Sequence, residues 1–371
     1  MTADSSDSSH PLLIVLTSLV AEGCPQLTLQ LTRHWRQQGV AVELLCLSDQ
    51  PTDLRPEFEA LSIPIHTVEL GGGLARYPRL AWLSFRLCRR LRPTAVLSFP
   101  LGWHAFIAMG AQAAGVRRVC GHVGNLPPVW TGNAFCKFRL LGRPFTQRLL
   151  CCSEYIRNAT VRDFGVRTRE TRAIHNACDL ERFTAVQRSG QVHQPPRLAM
   201  VARLEGHKDQ PSLIKAVALL RDQGLVVELW LIGEGSRRLE LEALSAELKL
   251  SGGVRLLGSR RDIPALLAEM DLFVFSARPD EGFGIALVEA MAAGVPIVAS
   301  DVGACWEVLD GGRCGLLVEP GNPEALAAGI RQVLSDPAAA KQRAEAARQH
   351  ALDRFSVAAM AEAYGEELGL G

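Results

Sequence analysis

The sequence predicts an α/β protein made of two parallel-sheet domains, and three observations lead there. Short apolar runs of strand length alternate with amphipathic helical stretches from one end of the chain to the other. Its 371 residues exceed the size at which a single hydrophobic core keeps growing. The alternation is interrupted once, after Phe183, by the polar stretch "TAVQRSGQVHQPPR" with Pro195 and Pro196, and then restarts.

Taken in order, Leu12 to Leu16 is an unbroken apolar run and reads as the first strand. A loop through Gly23 leads to an amphipathic helix from Pro25 to Gln38, stopped by Gly39, and Val40 to Leu47 forms the next strand. Further strands are expected at Ala95 to Ser98, Val116 to Cys120 and Leu149 to Cys152, with helices over 78–91 and 103–114. His104 begins the second of these helices and reads as a cap or packing residue. Beyond the polar stretch, Leu198 to Ala202 is a strand and Gln210 to Gln223 a helix ended by Gly224. Val226 to Ile232 is a strand running into Gly233-Glu234-Gly235, and Leu272 to Ser276 is another. No internal repeat is visible.

Composition narrows the class. With 48% apolar and 21% charged residues the chain can bury large cores, which excludes a disordered or fibrous type. The formal net charge of +1 conceals a basic first half and an acidic second half, as expected of domains with different partners. The ten cysteines show no CxxC and no zinc-like spacing; most sit in apolar stretches and read as small buried hydrophobes in a reducing compartment. "MTADSSDSSH" lacks the basic and apolar regions of a signal peptide, and no run is long enough to span a membrane. A cytoplasmic protein is expected.

The chemistry concentrates in "DEGFGIALVE", residues 280–289. A strand ends at Ser276, a loop follows, and a helix runs from Ile285 to Ala293, closed by Gly294 and Pro296, which puts Gly284 at a helix N-terminus. Free N–H groups and the positive end of the helix dipole there suit a phosphate, at the carboxyl end of a strand where open α/β sheets bind ligands. Glu281 precedes the helix and Glu289 lies just over one turn inside it. Carboxylates would repel a phosphate, so they fit hydroxyls on either side of it, as in a nucleotide sugar; otherwise they are two solvated glutamates.

These motifs resemble the family 4 glycosyltransferases, a retaining group with the GT-B fold. Glu281 and Glu289 match the family's pair of glutamates separated by seven residues, with Gly-Phe-Gly between them. "VARLEGHKD" resembles the family's strand-end arginine and nearby lysine, here Arg203 and Lys208. "LIGEGSRRLELE", "LLGSRRDIPALLAEMDLFVFSA" and "SDVGACWEVLDGGRCGLLVEPGNPEALA" follow in order. "IHNACDLERF" is similar to the signature that closes the first domain, with Ala177 and Cys178 in place of the usual glycine and valine.

The resemblance implies two Rossmann-like domains facing a central cleft: 1–185 binding the acceptor, 197–354 binding the nucleotide sugar, and 355–371 as a helix returning to the first. In that helix Phe355, Val357, Met360 and Tyr364 can share one face. It implies that Arg203 and Lys208 neutralise the diphosphate, that Glu281 holds hydroxyls of the donor sugar, and that Glu289 holds the ribose. The amides around Phe283, Gly284 and Ile285 would take phosphate oxygens. Gly233 and Gly235 would let backbone approach the nucleoside, or form a plain tight turn. The family's glycine-rich loop after the first strand corresponds to "LVAEGCPQLTLQL", where Gly23 survives and Cys24 replaces the second glycine. His122, in "CGHVGNLPP", is expected to follow a strand where many relatives carry a histidine near the donor sugar.

The activity implied is retaining transfer, most simply of a hexose, from a nucleotide sugar to a glycan, lipid-linked or small-molecule acceptor. A UDP-sugar is expected ahead of a GDP-sugar, with no cofactor, no nucleic acid, and no metal, since no DxD motif is present. The rivals are a nucleotide-sugar epimerase of the same architecture and a catalytically silent binding module. Residues 76–92, "RYPRLAWLSFRLCRRLR", carry six arginines and no acidic residue; with "KFRLLGRPFTQR" they suggest peripheral binding to an anionic inner membrane face. A core-packed helix with a basic edge is the alternative.

Overall fold

A computed structural model describes residues 10–21, 23–126, 137–188, 192–206, 208–250 and 252–370. The chain forms two compact units. One runs to Asn176 and includes the chain from Val357 onward, and the other holds Ala177–Ser356.

Among the described residues the first unit has a sheet of seven strands: β1 (Leu12–Leu16), β2 (Val42–Cys46), β3 (Ile65–Thr67), β4 (Ala95–Ser98), β5 (Arg118–Val123), β6 (Arg148–Cys151) and β7 (Thr171–Ala173). All pairings are parallel, in the order β3-β2-β1-β4-β5-β6-β7. The unbroken apolar run at β1 reflects its central place, because every residue from Leu12 to Leu16 is buried. Helix Arg76–Leu91 buries Leu80, Ser84 and Cys88, spaced one turn apart, against helix Leu101–Ala113. The contact is close enough that a Cβ on Gly110 would overlap the Ala81 carbonyl. The basic helix therefore buries an apolar face in its own unit, while Trp82 stays exposed beneath the Arg86 guanidinium, 4.7 Å from the ring.

The closing helix, Val357–Leu368, is part of this unit. The Trp35 indole donates to the Ala361 carbonyl at 3.3 Å, and Glu367 accepts from Arg148 and Arg172. Met360 and Tyr364 are buried here, but Phe355 is not on their face: it stays in the second unit, edge-on to Phe283 and to His350.

In the second unit the strands are β8 (Arg197–Val201), β9 (Glu228–Ile232), β10 (Val254–Gly258), β11 (Leu272–Phe275), β12 (Ile297–Ser300) and β13 (Leu316–Val318), all parallel in the order β10-β9-β8-β11-β12-β13. The order reverses direction between β8 and β11, so the crevice beyond their carboxyl ends is the place such a sheet offers a ligand. The polar stretch expected to link two domains is instead strapped to this unit. Arg188 donates to the carbonyls of Met270 and Gly294, and Asp271 accepts from the backbone amides of His193 and Arg197. Its composition suggested a free linker because those partners lie far off in sequence.

Candidate active site

The loops at the switch point of the second sheet carry most of the residues singled out from the sequence. Arg203 follows β8, with its side chain exposed and its carbonyl accepting from the buried Gln210 amide at 2.8 Å. Lys208 ends the same loop. Its backbone bridges to Ala277, and the Asp209 amide donates to the Ser276 carbonyl, so the loops after β8 and β11 are tied together. The buried Ser276 hydroxyl donates to the Asp209 carbonyl at 2.8 Å, which closes this joint from the other side.

Within this frame Lys208 and Glu281 form a direct ion pair, with side chains 12% and 9% exposed. The ammonium also sits 4.8 Å from the centre of the Phe275 ring. Glu281 accepts at 3.5 Å from the Phe283 amide, one of the N–H groups expected to face a phosphate. Beneath the pair lies Cys305, a buried thiol pushed well above its usual range by desolvation, with the Glu281 charge adding to the shift and Lys208 opposing it. Nothing in the spacing of the sequence signalled Cys305.

Helix Ile285–Ala292 starts at Gly284, whose φ of +85° is one that residues with a Cβ rarely adopt. Phe283 is 3% exposed and anchors the loop edge-on to Phe355, 5.6 Å between ring centres. Its side chain thus serves packing. Ile285 and Glu289 are partly buried on this helix. Burial pushes the Glu289 carboxyl up to about 7, opposed by the Arg182 guanidinium. Arg182, on helix Leu180–Thr184, is a site residue whose sequence signal is its place within "CDLERF".

Gly233 and Gly235 are required by packing within the unit itself. A Cβ on Gly233 would overlap the Ala202 carbonyl, and one on Gly235 the Leu204 carbonyl. The missing side chains make room for the chain itself, and the Leu204 amide donates to the Glu234 carbonyl at 2.9 Å across that contact.

Gly23 and His122 belong to the first unit. Gly23 opens helix Gly23–Gln37 rather than sitting in a loop before it, and open space surrounds the place its Cβ would occupy. His122 does not follow a strand. It lies within β5, whose pairing with β6 continues through His122 and Val123. The side chain is 2% exposed, its ring centre 4.8 Å from that of Phe99, and its Nδ1 shares a 2.8 Å hydrogen bond with the Tyr364 hydroxyl. Desolvation pushes the imidazole down to about 4, so it is neutral at pH 7. His104 is likewise buried and held low, its Nε2 2.9 Å from the Thr146 hydroxyl, which makes it a packing residue.

Among the described residues no cluster of three or more His, Cys, Asp or Glu side chains is arranged to hold a metal ion. No helix among them is long and apolar enough to cross a membrane.

Comparison with known proteins places this geometry. The structure of Anabaena Alr3699/HepE in complex with UDP-glucose superposes with a TM-score of 0.84, covering 98% of this chain and 100% of that one at 22% identity. The protein therefore has the GT-B fold of glycosyltransferases. Residues 22–182 match the family described as Glycosyltransferase Family 4, and residues 181–350 match Glycosyl transferases group 1. The chain belongs to the family 4 glycosyltransferases. It is 32% identical to glycogen synthase of Mycobacterium tuberculosis over 209 residues, 56% of this chain and 50% of that protein. It is 34% identical to the lipopolysaccharide core biosynthesis glycosyltransferase LpsE of Rhizobium meliloti over 208 residues, 55% of this chain and 59% of that one. The chain thus spans about half the length of the curated relatives it matches.

Proposed function

We propose that the protein is a retaining, metal-independent glycosyltransferase that moves a hexose from a nucleotide sugar to a glycan, lipid-linked or small-molecule acceptor. The observation that carries this reading is the Lys208–Glu281 pair at the switch point of the second sheet, beside the N-terminus of helix Ile285–Ala292. An incoming diphosphate supplies Lys208 with a new anion and leaves Glu281 to accept hydrogen bonds from sugar hydroxyls. Arg203 is the second cation for the phosphates and the N-terminal amides of the helix are neutral donors. Glu289 takes the ribose.

In the reaction the bond between the anomeric carbon and the diphosphate oxygen breaks, and its electrons leave with the diphosphate. An acceptor hydroxyl oxygen bonds the same face of that carbon, and its proton passes to the departing phosphate. Arg203 and Lys208 stabilise the charge that builds there, the task a metal ion performs elsewhere. The UDP-glucose complex of the Anabaena protein supports a UDP-sugar as donor. The relatives reported above are a synthase and a transferase, which favours transfer over epimerisation. LpsE, with its role in lipopolysaccharide core biosynthesis, supports an acceptor at a membrane surface. Trp82, Leu140 and Leu141 are exposed within arginine-rich stretches, a composition suited to anionic lipid. NMR of the product's anomeric centre, with excess EDTA present, tests the reaction: an inverted product, or activity abolished by chelator and restored by magnesium, overturns it.

A further inference from the structure

A second group of side chains stands at the carboxyl edge of the first sheet, outside the site described above. Arg76 and Tyr77 open helix Arg76–Leu91, Trp103 lies in the first turn of helix Leu101–Ala113, and Lys137 follows β5. Both helices begin after a parallel strand, β3 and β4, so their first turns lie on the edge where such sheets receive ligands. The order of this sheet reverses between β1 and β4, and the helix that carries Trp103 follows β4.

The four side chains make one cluster. Arg76 Nη2 donates to the Tyr77 hydroxyl at 3.2 Å and Lys137 Nζ donates to the same oxygen at 2.8 Å. The Arg76 guanidinium lies 5.2 Å from the Trp103 ring centre, and the rings of Tyr77 and Trp103 are 5.6 Å apart. All four residues remain partly exposed. Among the described residues neither cation has a carboxylate within ion-pair distance, and Arg76 Nε is buried with no acceptor. Two positive charges share a single phenol oxygen. That phenol is itself held below its ordinary range, first by the Lys137 hydrogen bond and then by that of Arg76, as expected where positive charge lacks a counterion.

Two unanswered cations beside two accessible aromatic rings have a definite complement. The cations call for an oxyanion, to which arginine and lysine donate charge-assisted hydrogen bonds, and the ring faces call for the apolar face of a sugar. We propose that Arg76, Lys137, Tyr77 and Trp103 form a binding site for a saccharide bearing a phosphate or carboxylate group. The site rests on the proposed transferase activity only in naming that saccharide as the acceptor; its binding chemistry stands on the cluster alone.

The test uses the full chain with UDP in saturating excess, so that a nucleotide site is occupied, and follows ligand binding by NMR. Glucose 1-phosphate and glucuronic acid are expected to bind at least about tenfold more tightly than methyl glucoside or inorganic phosphate, each of which lacks one half of the recognised group. Combining Arg76→Gln with Lys137→Gln should weaken both charged sugars about tenfold or more while thermal unfolding stays as in the parent chain. Tyr77→Phe, which removes the oxygen the cations share, should keep binding within about twofold of the parent or tighten it. Equal binding of the neutral and charged sugars overturns the proposal, as does undiminished binding by the double variant. Inorganic phosphate binding as tightly as glucose 1-phosphate overturns the sugar half. Loss of binding in Arg203→Ala instead of in the Arg76 and Lys137 variant assigns the ligand to the second unit and overturns it too. Absence of donor turnover with charged-sugar binding intact counts against the transferase reading and leaves this site standing.

Discussion

Replacing Lys208 by Met separates what the Lys208–Glu281 pair does for the fold from what it does for chemistry. Both side chains are nearly withdrawn from solvent, so removing the cation takes from the buried Glu281 the ammonium it pairs with. Breaking a buried pair from one side costs about 3–5 kcal/mol. For a unit of this size each kcal/mol lowers the midpoint by roughly 2–4 °C, so the second unit should unfold about 6–20 °C earlier. Adding Glu281→Gln removes the buried carboxylate that lost this ammonium and should return most of the lost stability. Transfer should stay depressed by about 10²–10³-fold, because the preorganised cation is still missing. Calorimetry gives the first quantity and a donor-turnover assay the second. A double variant no more stable than Lys208→Met, or one that regains full activity, refutes the reasoning.

Glu289 should impose a pH dependence. Its folded pKa of about 7 lies above the usual carboxylate value of 4.5, so its contribution to stability is present at low pH and lost as pH rises through that interval. Ribose hydroxyls prefer the ionised form, so nucleotide affinity should rise with pH through about 7, and Glu289→Gln should flatten that rise in calorimetric titrations. Tyr364→Phe leaves the buried Nδ1 of His122 without its hydroxyl and should cost the first unit about 1–3 kcal/mol in chemical unfolding. Vesicle flotation at low salt should recover the protein with anionic but not neutral lipid, and Trp82→Ser with Leu140→Ser should reduce the bound fraction.

Much of the fold was legible because parallel strands buried on both faces leave continuous apolar runs. Leu12 to Leu16 and Ala95 to Ser98 coincide with β1 and β4 to the residue. Short or edge strands such as Ile65–Thr67 and Thr171–Ala173 left no comparable run, and their pairing to β2 and β6 defines them. In the site, residue types and spacing pointed to Glu281 and Glu289, and the family resemblance of "VARLEGHKD" to Arg203 and Lys208. That Lys208 would meet Glu281 across 73 positions of sequence is a product of the joint between Asp209 and Ser276, which no local pattern encodes. The partner of His122 is farther still, on the closing helix. The glycines at 233 and 235 also admit backbone distant in sequence, that of residues 202 and 204.

If the switch-point residues of the second unit hold a nucleotide sugar and activate it for transfer, the donor should release its sugar slowly even without an acceptor. A mass-spectrometric screen of UDP-, GDP- and ADP-sugars tests it most directly, since slow release of sugar from the donor needs no knowledge of the acceptor. Release from a UDP-sugar is expected in the presence of EDTA and should be lost in both Arg203→Ala and Lys208→Ala. Release undiminished in those variants, or no binding or turnover of any nucleotide sugar, would contradict it.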